Sequence, residues 1–225
     1  HPEGLMKLVL TGRRKLEIGS QDPAAPVVPP DETQLRVMYC AVCRTDAKMW
    51  DRGHRDLVLP RVPGHEIVAA DVHGQRYAVW PARSCGRCPD CRAGRESRCE
   101  EIQIIGFHRD GGFAKKVQVP KTSLLLLPES LDPLLACFAE PLGCVLHGLK
   151  TAGITAQDRV LIIGGGTMGL LAGLALAAAG GRPVIMEKEA AKIDRARSFL
   201  DETGVECVTR APRERFDAAI TACPD

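Results

Sequence analysis

The chain changes rhythm along its length. Lys7–Thr11 and Gln34–Cys40 alternate or run apolar over strand length, and the proline-bearing stretch Gln21–Pro30 between them reads as a loop. Strand patterns return at Glu66–Asp71, Arg76–Trp80 and Phe113–Val119. Short strands separated by proline and glycine predict a barrel-like or folded-sheet domain. Near Leu134 the period becomes helical and places Leu134, Leu135, Phe138 and Leu142 on one face. After Asp158 the pattern alternates: strand Arg159–Ile163, helix Thr167–Ala179, strand Pro183–Glu187, helix Ala190–Leu200, strand Phe216–Thr221. Alternation of this kind predicts a parallel α/β sheet. The boundary is expected near Lys150, giving a β-rich domain over residues 1–150 and an α/β domain over 151–225.

Val160–Gly181 carries no charge, with Gly165, Gly169 and Gly173 at four-residue intervals. A membrane-spanning helix is one reading. Three consecutive glycines after Val160–Ile163 favour a buried strand, a turn and a buried helix instead. Composition supports that choice. Of 225 residues, 45% are apolar and 26% charged, as in ordinary soluble globular proteins. A net charge of +2 and only 4% aromatics argue against a nucleic-acid partner. The N-terminus lacks a signal peptide's basic and apolar regions, and Met6 is a candidate native start. A reducing cytoplasm is therefore expected, where clustered cysteines read as metal ligands rather than disulfides.

Cys85, Cys88, Cys91 and Cys99 form C-x2-C-x2-C-x7-C, with turns supplied by Gly86, Pro89 and Gly94. Four thiolates at short spacing predict a closed structural zinc site in a lobe over residues 83–100. An iron–sulfur cluster is the rival. A second set is more scattered: Cys43 in Cys-Arg-Thr-Asp, His65-Glu66 after Pro63-Gly64, and Glu140 before Pro141. Thiolate, imidazole and carboxylate are what a catalytic zinc site with an open position uses. Each alone has a plainer reading, a buried small thiol or a surface pair.

Gly164, Gly166, Thr167, Met168 and Gly169 belong to a G-x-G-x-x-G run that follows a strand and opens a helix. Such glycines let a pyrophosphate approach the helix N-terminus. Glu187 lies twenty-one residues past Gly166, at the end of the next strand. A carboxylate there accepts ribose hydroxyls and repels a 2′-phosphate, favouring NAD over NADP, although Lys188 next to it weakens that preference.

Taken together, Cys43–Asp46, Gly64–Glu66, the cysteine lobe, Asp110–Ala114, Glu140–Leu142 and the glycine loop resemble the zinc-dependent medium-chain alcohol dehydrogenases, in that family's order. Glutamate rather than cysteine at position 140 makes the chain look most like the sorbitol and threonine dehydrogenase branch. The resemblance implies a GroES-like catalytic domain and a doubly wound Rossmann domain with the active site between them. It implies Cys43, His65 and Glu140 as catalytic zinc ligands, with Glu66 as a ligand or a close neighbour of the metal. Thr45 would relay the substrate proton, and Asp46 would orient His65 or a loop. Two zinc ions per chain, NAD, a secondary alcohol or polyol substrate and a homodimer or homotetramer follow from the same resemblance.

Three departures stand out. Lys48, which is either part of a different proton path or simply solvated, occupies the place of a relay histidine; His54 is a nearby substitute or, more plainly, a surface-loop histidine, His108 and His147 have similar standing, and His147 reads as a packed, hydrogen-bonded helix residue rather than a ligand. The segment between Glu66 and Cys85 is shorter than usual in the family. The sequence also ends at Asp225, after what reads as the third strand of the cofactor domain, so the Rossmann domain looks truncated. The chain is read as part of a longer protein, the alternative being a fragment that cannot catalyse alone. An aldehyde or ketone reductase with the same parts, and a non-catalytic zinc- and dinucleotide-binding protein, remain the alternative functions.

Overall fold

A computed structural model describes residues 6–20, 27–200 and 202–223. The loop expected at Gln21–Pro30 therefore lies partly outside the described residues, as do the five residues before Met6. The chain forms two compact units, His1–Glu140 and Pro141–Asp225.

The first unit opens with an antiparallel hairpin, β1 (Met6–Gly12) and β2 (Lys15–Ser20). β2 went unread in the sequence because its side chains stay largely outside the core. A long strand, β3 (Glu32–Ala41), leads into helix α1 (Arg44–Arg52). Then come β4 (Glu66–Ala70), β5 (Arg76–Val79), β6 (Ala82–Arg83), the short helix α2 (Pro89–Arg92), β7 (Gln103–Ile104), β8 (Lys116–Pro120) and β9 (Leu124–Leu126). Five strands make an antiparallel sheet in the order β8-β3-β4-β5-β9, while β6 and β7 pair separately at the base of the cysteine lobe. The strand expected from Phe113 begins at Lys116, because Gly111–Phe113 are bonded instead to residues 62–64.

Central β4 is buried on both faces, so it reads as a continuous apolar run rather than an alternation. Ile67 and Ala69 join Leu35, Val79, Ile105, Val117 and Val119 on one side. Val68 joins Ala78, Leu127, Ala136 and Cys137 on the other. By the two-residue period Glu66 shares the face of Val68.

The helical face expected at Leu134 is not the buried one. Residues Leu135–Phe138 form a 3₁₀ turn, with fewer residues per turn than an α-helix. That rotates Ala136 and Cys137 inward and leaves Leu134 and Leu135 57% and 58% exposed.

Helix α3 (Ala139–Thr151) begins in the last two residues of the first unit and runs on as the start of the second, where it is followed by β10 (Val160–Ile163), α4 (Thr167–Ala178), β11 (Val184–Met186), α5 (Ala190–Leu200), β12 (Glu206–Val208) and β13 (Ala218–Thr221). The four strands are parallel, in the order β12-β11-β10-β13. The strand read as the third is thus the fourth; β12 is only three residues long and shows no period. Its core is Val160, Ile162, Ala172, Leu176, Ile185, Ala196, Leu200 and Val205, with Val145 of α3. Gly173 lets α4 press on β11, since a Cβ there would stand 2.9 Å from Ile185. The architecture is a β-rich GroES-like unit and a Rossmann-type parallel α/β unit. Among the described residues no helix is long and apolar enough to cross a membrane.

Candidate metal centres and dinucleotide loop

Register brings the scattered donors together. Ala41 of β3 pairs with Glu66 of β4, so the chain leaving β3 toward Cys43 passes the chain entering β4 through His65. Cys43 is the N-cap of α1. Its Sγ accepts from Thr45 N at 3.4 Å, and its own N–H donates to Asp46 Oδ2 at 2.9 Å. This reciprocal cap fixes the sulfur against the positive end of the helix. Asp46 is buried, and its other oxygen accepts from Gly64 N at 3.3 Å. Gly64 has φ +95, and a Cβ there would fall 2.7 Å from Cys40 Sγ and 2.8 Å from Phe113, so only glycine fits before His65.

One donor atom from each of Cys43, His65 and Glu66 lies within 4.8 Å of the others. His65 is buried; its Nδ1 lies 3.5 Å from Asp46 Oδ1, too far for a good hydrogen bond, and has no hydrogen-bond partner. Burial works to lower the imidazole's pKa. Asp46 and Cys43 outweigh it and hold the group up at about 10. Burial pushes the Glu66 carboxyl upward, opposed by His65 and helped by the charge of Glu140. Glu140, half-buried in the first turn of α3, is thus near enough to Glu66 to repel it, but it is not one of the three clustered donors. Thr45 is half-buried beside the sulfur.

The other histidines sort by contact. Phe107 stands between His65 and His54, with ring centroids 5.5 Å and 5.4 Å away, and His54 is exposed. His108 Nδ1 accepts from Ile104 N at 3.1 Å, a structural use. His147 is exposed rather than packed, and Lys48 is exposed on α1. Sequence reasoning passed over Phe107; its only signal was an apolar residue just upstream of Asp110-Gly111-Gly112.

The lobe cysteines also converge within 4.8 Å, with Cys91 and Cys99 buried. Backbone N–H groups aim at their sulfurs: Cys85 N at Cys99, Cys88 N at Cys85 and Cys91 N at Cys88, each at 3.4 Å. Cys85 and Cys91 Sγ lie 3.9 Å apart. Tetrahedral bonds of about 2.3 Å to zinc place two sulfurs about 3.8 Å apart, so the four thiols fit one ion.

In the second unit the glycine loop leaves β10 at Gly164, whose φ is +112 and whose N–H bonds Met186 O at 2.8 Å. A Cβ on Gly169 would lie 1.9 Å from Gly164 O, so helix and loop pack without room for a side chain. Gly166 is the N-cap of α4 and adds no side-chain cap, which leaves the helix's first N–H groups for an anion. Thr167 and Met168, the next two residues, are exposed. Buried Glu187 accepts from Gly165 N and Glu189 N, both at 3.0 Å. The Glu189 N–H leads in holding its carboxyl below the ordinary range, against burial and with help from Gly165. The strand order reverses between β10 and β13, beside this loop, which is where open α/β sheets bind ligands.

Known proteins repeat these features. Residues 29–129 match the alcohol dehydrogenase GroES-like domain. Residues 157–209 match an FAD binding domain, and a βαβ dinucleotide motif is common to FAD and NAD folds. The chain is 30% identical over 224 residues to an L-galactonate-5-dehydrogenase of Escherichia coli K12, covering 95% of this chain and 64% of that protein. An L-threonine 3-dehydrogenase of Chelativorans is 27% identical, with 81% and 56% covered. The chain therefore spans less than two thirds of the length of these relatives. Among solved structures, one described as a zinc-binding dehydrogenase of Sinorhizobium meliloti, bound to NADP, is 30% identical with a TM-score of 0.87, over 97% of this chain and 70% of that one. Galactitol-1-phosphate dehydrogenase of E. coli is 25% identical with a TM-score of 0.81, over 90% and 61%. On this similarity, the chain belongs to the zinc-dependent medium-chain alcohol dehydrogenase family.

Proposed function

We propose that this chain carries the metal and dinucleotide machinery of a zinc- and NAD-dependent dehydrogenase acting on a secondary alcohol or polyol. The observation that carries the reading is the convergence of Cys43, His65 and Glu66. Thiolate, imidazole and carboxylate suit zinc, and three protein donors leave a position for substrate. The buried Nδ1 of His65 faces the Asp46 carboxylate at 3.5 Å, an arrangement that suits a ligating imidazole whose other nitrogen is left for a cation. In this reading Cys43 and His65 hold the catalytic ion, with Glu66 and Glu140 as carboxylates that bind it or balance its charge. Cys85, Cys88, Cys91 and Cys99 hold a second, structural ion. The catalytic part corresponds to the first compact unit, His1–Glu140, and the cofactor part to the second, Pro141–Asp225.

Zinc supplies Lewis acidity that makes an alcohol proton acidic near neutral pH, and NAD supplies the hydride acceptor. The protein's own part is placement. Thr45, beside Cys43, relays the substrate proton: its hydroxyl accepts that proton as it passes its own on toward solvent. Asp46 steadies the Gly64–His65 turn and the α1 N-terminus together. Gly164, Gly166 and Gly169 open the pyrophosphate site, Thr167 and Met168 flank it, and Glu187 accepts the ribose hydroxyls. Glu187 favours NAD, although the S. meliloti relative was solved with NADP. The relatives named for galactonate and galactitol phosphate support a polyhydroxylated substrate.

The test is NAD reduction by the zinc-loaded protein across a panel of secondary alcohols, sugar alcohols and sugar acids. His65→Ala should cut turnover at least about a hundredfold, the scale of losing an electrostatic stabiliser, while NAD still binds. NAD binding without turnover on any alcohol would instead favour a dinucleotide-binding protein.

A further inference from the structure

Glu32, at the start of β3, is a buried carboxylate outside both candidate metal centres. Its Oε1 lies 2.6 Å from Arg109 Nη2 and 3.3 Å from Arg83 Nη1, and its Oε2 accepts from Gln118 Nε2 at 2.5 Å. The two arginines lead in different directions. Arg83 lies in β6, two residues before Cys85, and pairs with Gln103 of β7 at the root of the cysteine lobe. Arg109 lies in the loop after β7, where its carbonyl accepts from Gly106 N at 2.7 Å.

That loop grips the chain entering His65. Asp110 Oδ1 accepts from Arg61 Nη1 at 2.9 Å and from Val62 N at 3.2 Å. Gly111 N donates to Val62 O at 2.7 Å, Gly112 N to Gly64 O at 2.9 Å and Phe113 N to Pro63 O at 3.0 Å. Just upstream, Phe107 packs its ring on the imidazole. Gly111 has no room for a Cβ, which would stand 2.2 Å from Gly64 O, so the two segments cannot separate without breaking several bonds at once.

We propose that Glu32 is a positioning residue for His65, tying the root of the cysteine lobe to the loop that holds the imidazole, so that order in the lobe is transmitted to the Cys43–His65–Glu66 cluster. A charged pair taken out of water holds its geometry tightly, because each partner left alone is costly. Groups hydrogen-bonded to metal ligands change ion affinity roughly 10–100-fold; Glu32 acts one step further out, through Arg109 and its loop, so the low end of that range is expected. The proposal rests on the reading that the cluster holds zinc, but its first readout does not.

Glu32→Gln keeps the side chain's shape and removes its charge. Amide hydrogen exchange is followed by mass spectrometry in segments 61–67 and 104–113, with β10 as internal reference. Zinc release to a chelator is followed on the same protein. Exchange in both segments should rise about tenfold with β10 unchanged, and the ion held by the cluster should leave about tenfold faster than in the parent chain. Should Glu32→Gln fail to fold, Arg83→Gln cuts only the lobe's arm and should loosen segment 61–67 in the same direction. Unchanged exchange in 61–67, or a uniform rise that includes β10, would overturn the proposal. A parent chain that keeps zinc in the lobe alone would remove the catalytic reading, and the exchange result would still decide the role of Glu32.

Discussion

The four lobe cysteines come from fifteen consecutive residues, whereas Cys43, His65 and Glu66 span twenty-four and meet only because β3 pairs with β4. The first site is made by a short loop that wraps on itself, with three of the four sulfurs accepting a backbone N–H of another lobe cysteine. The second is made by strand register, a helix cap and a glycine turn, each in a different part of the chain. A local site can be closed and self-sufficient. An assembled site inherits every shift in the elements that meet there. The lobe should therefore fail as a fold, and the cluster should fail as chemistry.

The largest effect should come from the lobe. Structural zinc sites are worth about 10–16 kcal/mol in small zinc-folded peptides, so Cys91→Ser should collapse residues 83–100 and sharply lower the folded yield. Cys91→Ser protein that keeps its zinc and its melting temperature would break the comparison.

Arg109→Ala comes next, because it takes away the shortest charged partner of the buried Glu32 carboxylate; Arg83 and Gln118 remain, so the cost should fall below the ~3–5 kcal/mol of a fully stranded buried charge. The pH dependence has a definite sign. Burial raises the Glu32 pKa, but Arg109 and Gln118, helped by Arg83, outweigh it and hold the folded value below 4.5. Its contribution is then complete above the unfolded value and fades as pH falls through the folded one. The urea midpoints of the parent and Glu32→Gln should differ at pH 7 and converge in acid; a constant gap would show that the charge is not responsible.

Asp46→Asn should cost less. The amide keeps the bulk of Asp46 but loses its charge beside His65. Zinc affinity at the cluster should fall roughly 10–100-fold, with the lobe ion retained. Competition with a chelator measures both. Equal loss from the two sites would mean that Asp46 serves the whole unit.

The same contrast explains what the sequence revealed. The lobe, the glycine loop and Glu187 were legible because spacing within a loop, or from a strand to a helix, carries their geometry. Cys43, His65 and Glu66 were visible as residue types, but the pairing of Ala41 with Glu66 that unites them is set by the hydrophobic match of whole strands. Short elements also escaped notice. β12 and β9 have three residues each, too few to show a period. The 3₁₀ turn before α3 changed the buried face because its rise and turn differ from those of the α-helix that the leucine spacing suggested. Glu32 drew no reading at all, because nothing local shows that an arginine from β6 and another from the loop after β7 converge on it.

The most direct measurement is zinc per chain by elemental mass spectrometry, in the parent protein and in the double variant Cys43→Ser, His65→Ala. Two ions falling to one, with the melting temperature nearly unchanged, is the result that an assembled catalytic site and a local structural site require. A single ion in both proteins would show that Cys43, His65 and Glu66 converge without binding a metal, and the dehydrogenase mechanism would lose its centre.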